Sequence, residues 1–195
     1  IDEPALVDAA VALMRNADTA MYHAKMRGRS RCELYSSNMR NTAKERATLS
    51  ASLEVALANN ELHLVYQPVM SPHSNKVVGA EALLRWRHPT LGLLTPSSFV
   101  DLAEESGAIV PIGEWVIRQA CSDMRMWLND KRIDRQFIVH VNVSPRQVGD
   151  TRFVERTLAA IKEFDLQPQH LALEFDEKML MKDTANTLRT LQSMK

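Results

Sequence analysis

Four polar side chains stand in segments whose neighbours are apolar. Glu81 lies between Val77-Val78-Gly79-Ala80 and Ala82-Leu83-Leu84. Asn142 lies near the end of Ile138-Val139-His140-Val141-Asn142-Val143. Glu174 follows Leu171-Ala172-Leu173, and Gln67 closes Leu62-His63-Leu64-Val65-Tyr66. Each falls near the end of a run with the pattern of a strand. A carboxylate in such a run is costly unless a cation or a hydrogen bond compensates it. Two carboxylates and an amide oxygen are hard donors, suited to Mg²⁺ or Mn²⁺ rather than zinc. Taken singly, each is accounted for by an ordinary hydrogen bond or salt bridge. In corresponding places on three strands, Glu81, Asn142 and Glu174 set a divalent-metal site beside that ordinary reading.

Other groups carry less. Arg85 follows Glu81 closely, and its planar fork suits a phosphate as well as a surface salt bridge. His88, before Pro89, reads as a turn residue rather than a ligand. His140, on an apolar strand, reads as a core histidine. Trp86, Trp115 and Trp127 read as core, and the high methionine content, Met14, Met21 and Met26 included, reads as packing.

The elements that must position these groups follow from periodicity. Residues 8 to 27 carry Val11, Met14, Ala17, Met21 and Ala24 at helical spacing, with Gly28 as a stop and cations in the last turn. Residues 32 to 35 read as a short strand. A polar stretch from 36 to 48 runs into Leu49, Leu53 and Leu57, which predicts a connecting helix over about 40–58. Strands are expected from Leu62 to an interruption at Pro68, from Lys76 to Leu84, from Phe137 to Val143 and from His170 to Phe175. Helices are expected over 97–105, capped by Thr95, and over 111–129, 151–164 and 183–194. Strands alternating with helices imply an α/β domain with a largely parallel sheet. Four strands are too few to close an eight-stranded barrel of ~250 residues, so the region reads as the first half of one, with the strand ends converging on one face.

Composition bounds the partners. Hydrophobic residues make up 45% and charged residues 25% of the 195, the profile of a soluble globular chain. Lys plus Arg equals Asp plus Glu at 24 each, which gives no electrostatic reason to expect a nucleic acid polymer. Arg27, Arg29 and Arg31 form a small basic cluster, read as a solvated turn. Cys32 and Cys121 lack metal-ligand spacing and suit a reducing cytoplasm. No run approaches the ~18 apolar residues of a membrane span. Ile1-Asp2-Glu3-Pro4 has neither an initiator Met nor a signal pattern, so the chain is expected to begin inside a longer protein.

Three segments taken together resemble the opening of EAL domains: Tyr66-Gln67-Pro68, Gly79-Ala80-Glu81-Ala82-Leu83-Leu84-Arg85-Trp86-Arg87-His88-Pro89, and Gly92-Leu93-Leu94-Thr95-Pro96. Leu102-Ala103-Glu104-Glu105-Ser106-Gly107, Gly113-Glu114-Trp115-Val116, Val141-Asn142-Val143-Ser144-Pro145-Arg146-Gln147 and Leu173-Glu174-Phe175-Asp176-Glu177 continue the likeness in order, over about residues 53 to 195. The resemblance implies a modified (β/α)₈ barrel with one antiparallel strand, hydrolysing cyclic-di-GMP to linear pGpG with Mg²⁺ or Mn²⁺. It implies Glu81, Asn142 and Glu174 as metal ligands. Glu81, Glu174 and Glu177 form its catalytic set, Glu177 supporting the loop that organises a second metal. Gln67, Leu83 and Arg85 would bind substrate, Arg85 at the phosphate. Two adjacent cations would activate a water and hold both oxygens of an in-line displacement.

The segment Arg15-Asn16-Ala17-Asp18-Thr19-Ala20-Met21-Tyr22-His23-Ala24-Lys25, followed by Gly28-Arg29-Ser30-Arg31, is similar to the last helix of GGDEF domains. The expected division is a GGDEF remnant over 1–36, a linker helix over 37–58 and the first part of an EAL domain over 59–195. The Gly-Gly-Asp-Glu-Phe segment is absent, so this chain should not make cyclic-di-GMP. Where the family reads Glu-Ile-Thr-Glu-Ser, this chain has Glu174-Phe175-Asp176-Glu177-Lys178. Pairing of Lys178 with Glu177 would reduce activity, and a non-catalytic cyclic-di-GMP sensor or interaction module is the alternative. The family's later aspartate pair and lysine fall beyond Lys195, so this stretch alone is expected to be inactive. Open sheet edges invite homodimerisation. Upstream sensor or membrane-anchoring segments of a parent protein fit the same resemblance.

Overall fold

The computed structural model describes residues 3–26 and 32–175. It divides into two compact units, Ile1–Ser52 and Leu53–Lys195.

The first unit holds helix α1 (Glu3–Met26) and most of helix α2 (Ser37–Ala56). The expected strand at 32–35 is absent: residues 32–36 have no regular structure, and Leu34 is exposed. The stop at Gly28 and the basic trio Arg27, Arg29 and Arg31 lie outside the described residues.

The second unit is a mixed α/β fold. Its sheet has the order β1 (Leu62–Met70), β2 (Val77–His88), β4 (Ile138–Val143), β5 (Leu171–Phe175), with β3 (Gly92–Leu94) paired to the end of β2. β1 runs antiparallel to β2, whereas β2, β4 and β5 are parallel. Helices α3 (Val100–Ser106) and α4 (Ile109–Asn129) connect β3 to β4. Helices α5 (Pro145–Val148) and α6 (Phe153–Glu163) connect β4 to β5.

Three sequence expectations change here. β1 continues through Pro68, which faces Ala80. β1 is the outer strand of the described sheet, and a free edge accommodates a proline whose missing N–H would point outward. β2 runs four residues beyond Leu84, because Trp86 pairs with Leu62 and with Leu94. The helix expected over 97–105 splits into a 3₁₀ turn at Pro96–Ser98 and α3; Thr95 precedes that turn, and its hydroxyl pairs with Ser97 rather than with a backbone N–H. The helix expected over 183–194 lies outside the described residues.

The core sits between one sheet face and α4. Alternate strand residues point to opposite faces, and the inner set is Ala80, Ala82, Trp86, Val139, Val141 and Val143, all buried. Tyr66 shows that α4 covers this face: its hydroxyl donates to Asp123 Oδ2 at 2.6 Å and its ring meets Trp127 edge-on at 4.6 Å. α4 presents Ile109, Ile112, Val116, Ile117, Ala120, Cys121 and Met124, spaced by three and four. Burying a Val or Ile side chain contributes roughly 1.5–3 kcal/mol. α6 is clasped to α4 by Arg118, which grips Glu163 at 2.6 and 2.7 Å, and by Arg156 on Glu114 at 2.8 Å. Trp86 is fully buried, its indole N–H satisfied by Glu61 Oε2 at 2.9 Å. Burial pushes the Cys121 thiol up to about 11, and Cys32 is exposed.

Candidate functional site

The residues of opposite parity point away from α4. In register across the sheet, Gln67 faces Glu81, Glu81 faces His140, and Asn142 faces Glu174. Gln67, Glu81, His140, Asn142 and Glu174 therefore share one face. Leu83 and Arg85 continue that face along β2, opposite Val65 and His63 of β1.

The side chains are linked in two hydrogen-bonded pairs, and both run diagonally. Asn142 Nδ2 donates to Glu81 Oε1 at 2.6 Å, although His140 is the residue opposite Glu81. His140 Nδ1 meets Glu174 Oε1 at 2.8 Å, although Asn142 is opposite Glu174. β4 thus supplies a polar side chain to a carboxylate on each neighbouring strand.

His140 corrects the sequence reading of a core histidine. The core residues of β4 are Val139, Val141 and Val143; His140 has the parity of Asn142 and stands among the carboxylates. That parity was the available signal. His63, also unassigned from sequence, faces Arg85. Burial lowers its pKa from 6.5, and the charges of Arg87 and Arg85 lower it further.

Arg85 is half-buried and donates from one terminal nitrogen to Leu84 O at 2.8 Å; it makes no ion pair among the described residues. His88, expected in a turn, is instead the buried last residue of β2, where it holds the turn that follows. Its Nδ1 accepts the N–H groups of Thr90 and Leu91, both at 3.2 Å. Glu177, Asp176 and Lys178 lie outside the described residues.

The chain leaving Asn142 is tightly anchored. Ser144 and Gln147 form a reciprocal capping box at the start of α5. Gln147 is 4% exposed and fills the space beside Gly113 of α4: a Cβ on Gly113 would lie 1.8 Å from Gln147 Nε2. Arg146 reaches the carbonyls of Glu104 and Glu105 at the end of α3, passing over Gly107, which takes a left-handed φ of 90° to end that helix. Arg146 and Gln147 carry no role legible in the sequence, because their partners come from α3 and α4.

Among the described residues, no three His, Cys, Asp or Glu side chains converge closely enough to hold a metal by themselves. The donor set that shares the face is two carboxylates and the Asn142 amide. A cavity of ≈ 450 Å³ lies at the other end of β4, lined by Tyr66, Trp127 and Phe137 together with Ile133, Arg132 and Asp134; it holds none of the carboxylates above. No described helix is long and apolar enough to cross a membrane.

Comparison with known proteins places the chain in a family. The family model described as EAL domain matches residues 50–195. The bifunctional diguanylate cyclase/cyclic di-GMP phosphodiesterase MucR of Pseudomonas aeruginosa is 41% identical over 182 residues, which take in 93% of this chain and 26% of that protein. The aligned stretch is longer than the family match and so includes part of the segment before residue 50. The signaling protein YkoW of Bacillus subtilis is 35% identical over 182 residues, 93% of this chain and 22% of its own length. The chain spans about a quarter of these curated relatives. Among solved structures, the PaMucR phosphodiesterase in its c-di-GMP complex matches with a TM-score of 0.70 and 40% identity, covering 75% of this chain and 59% of that one. An EAL enzyme in its cAMP and cyclic-di-GMP bound form matches with a TM-score of 0.72 and 30% identity, covering 100% and 49%.

Proposed function

Because the chain belongs to the EAL domain family, we propose that the protein carrying it hydrolyses cyclic-di-GMP to linear pGpG by metal-assisted attack of water on a phosphodiester. The observation that carries this reading is the set Glu81, Asn142 and Glu174: oxygen-bearing side chains from three adjacent parallel strands on one sheet face, two of them in direct contact.

The residues present fit a hard divalent cation such as Mg²⁺ or Mn²⁺. Exchanging the two ends of the Asn142 amide sets Oδ1 against Glu81 Oε1 at the present 2.6 Å separation. Adjacent oxygens around an octahedral Mg²⁺ lie about 3 Å apart, so the pair need open only slightly to share an ion. Glu81, Asn142 and Glu174 would hold the ion. Bound there, it would supply charge neutralisation at the phosphate and a water of lowered pKa.

Arg85 would take a phosphate oxygen with the guanidinium nitrogens not engaged by Leu84. Gln67 and Leu83 would line the nucleotide side of the same face. Glu177 would support the neighbouring loop. In this reading the β1–β5 sheet is the first half of a (β/α)₈ barrel, with β1 its antiparallel strand and the polar face turned to the barrel interior. Residues 1–36 are the tail of a GGDEF domain, 37–58 a linker helix and 59–195 the first part of the EAL domain. The likeness to a tandem enzyme such as MucR, reaching before residue 50, supports that division. The parent would act in the cytoplasm, with room for upstream sensor domains and a homodimer.

The test is hydrolysis of cyclic-di-GMP by the intact protein, followed by chromatography of pGpG, with and without a chelator. Glu81→Gln is expected to lower turnover at least ~100-fold. Turnover unaffected by that substitution overturns the reading. Binding without turnover would assign the sensor function, which the departures at Asp176 and Lys178 favour.

A further inference from the structure

His140 contributes neither a carboxylate nor an amide oxygen to the set above, yet it is the polar partner of Glu174. Its Nδ1 stands 2.8 Å from Glu174 Oε1. An ionised carboxylate only accepts, so Nδ1 carries the hydrogen. The contact sets the direction of Glu174. In register Glu174 lies opposite Asn142, and His140 lies opposite Ala172. The carboxylate therefore leans back along β5 toward the imidazole, over the small Ala172.

The ring has a matching space on its other side. A Cβ on Gly79 would come within 3.4 Å of His140 Nε2 and 2.5 Å of Ile138 O, so any larger residue there would displace the backbone and press on the ring. The His140 side chain is 24% exposed against 46% for Glu174. The more sheltered group holds the freer one.

We propose that His140 is a positioning residue for Glu174. It ties down Oε1, so that Oε2 is presented to a ligand on the polar face. The inference rests on the reading that Glu174 helps hold a divalent cation. Hydrogen-bond partners of ligating carboxylates orient them and typically set metal affinity by about 10–100-fold.

The experiment measures Mn²⁺ affinity of the intact protein by titration calorimetry, with thermal stability followed in parallel. His140→Ala is expected to weaken Mn²⁺ binding about 10–100-fold. His140→Asn places an amide N–H near the position of Nδ1 and is expected to recover affinity to within about threefold, whereas the longer His140→Gln does not. A purely structural histidine would give three variants with altered stability and unaltered affinity. Wild-type affinity in His140→Ala, or Asn and Gln variants that bind alike, overturns the proposal. Should His140→Ala fail to fold, the Asn and Gln pair decides. Glu81→Ala separates the two readings. If it binds Mn²⁺ as wild type does, the metal site itself falls, and His140's role with it. If it loses Mn²⁺ while His140→Ala keeps it, only the role of His140 falls.

Discussion

Asn142 donates to Glu81 across a diagonal of the sheet, at 2.6 Å, while the residue directly opposite Glu81 is His140. An uncharged amide is what allows the two side chains to meet. Asn142→Asp replaces a donor with a second carboxylate at that spot, and without a cation the pair repels. Both groups are partly solvated, so the cost is about 1 kcal/mol. A divalent ion reverses the sign. The expected outcome is a lower Tm than wild type in chelator and a larger rise on adding Mn²⁺. Scanning calorimetry in both conditions checks it, and equal Mn²⁺ shifts would refute a shared ion at this pair.

Gly113 and Gln147 are a packed pair. Alanine in a helix interior ordinarily stabilises relative to glycine by about 1 kcal/mol. Here the added methyl would fall 1.8 Å from the Gln147 amide, which is already committed to the Ser144 N–H. Gly113→Ala is therefore expected to destabilise by about 1–3 kcal/mol through loss of that buried bond. In a Gln147→Ala background the same change should be close to neutral. Urea melts of the four proteins give the coupling energy, and simple additivity would contradict the packing.

His63 makes stability depend on pH in a definite direction. Burial first, then the charges of Arg87 and Arg85, hold its folded pKa below 6.5. The unfolded chain therefore binds the proton first as pH falls. The stabilising contribution is complete above the unfolded pKa and is lost as pH falls through the folded one. Wild type should lose more Tm than His63→Gln between about pH 7 and pH 5. Matching profiles would show that His63 titrates normally.

Much of this arrangement is local in origin and readable in the chain. Apolar runs flanked by turn residues marked every strand of the sheet except the three-residue β3. Leucines spaced by four marked α2, where Leu53 is buried, because burying one face of an element imposes its period on the residues; the apolar stripe that marked α1 leaves Val11, Met14 and Met21 exposed. The oxygen donors stood out because a carboxylate in an apolar run needs a compensating partner. Where reading residue by residue failed, the deciding partner was distant in sequence. Pro68 extends β1 because it sits at the sheet's edge, and β2 reaches His88 because Leu62 and Leu94 pair with Trp86.

The order and type of the elements, and the kinds of atom available for chemistry, were thus determined by the sequence itself, through short-range periodicity and composition. Which donor meets which carboxylate was decided only by tertiary structure. Strand register sets Glu81 against His140 and Asn142 against Glu174, and the side chains then cross to the diagonal partners. Register is the sum of many long-range contacts, and no single segment contains it.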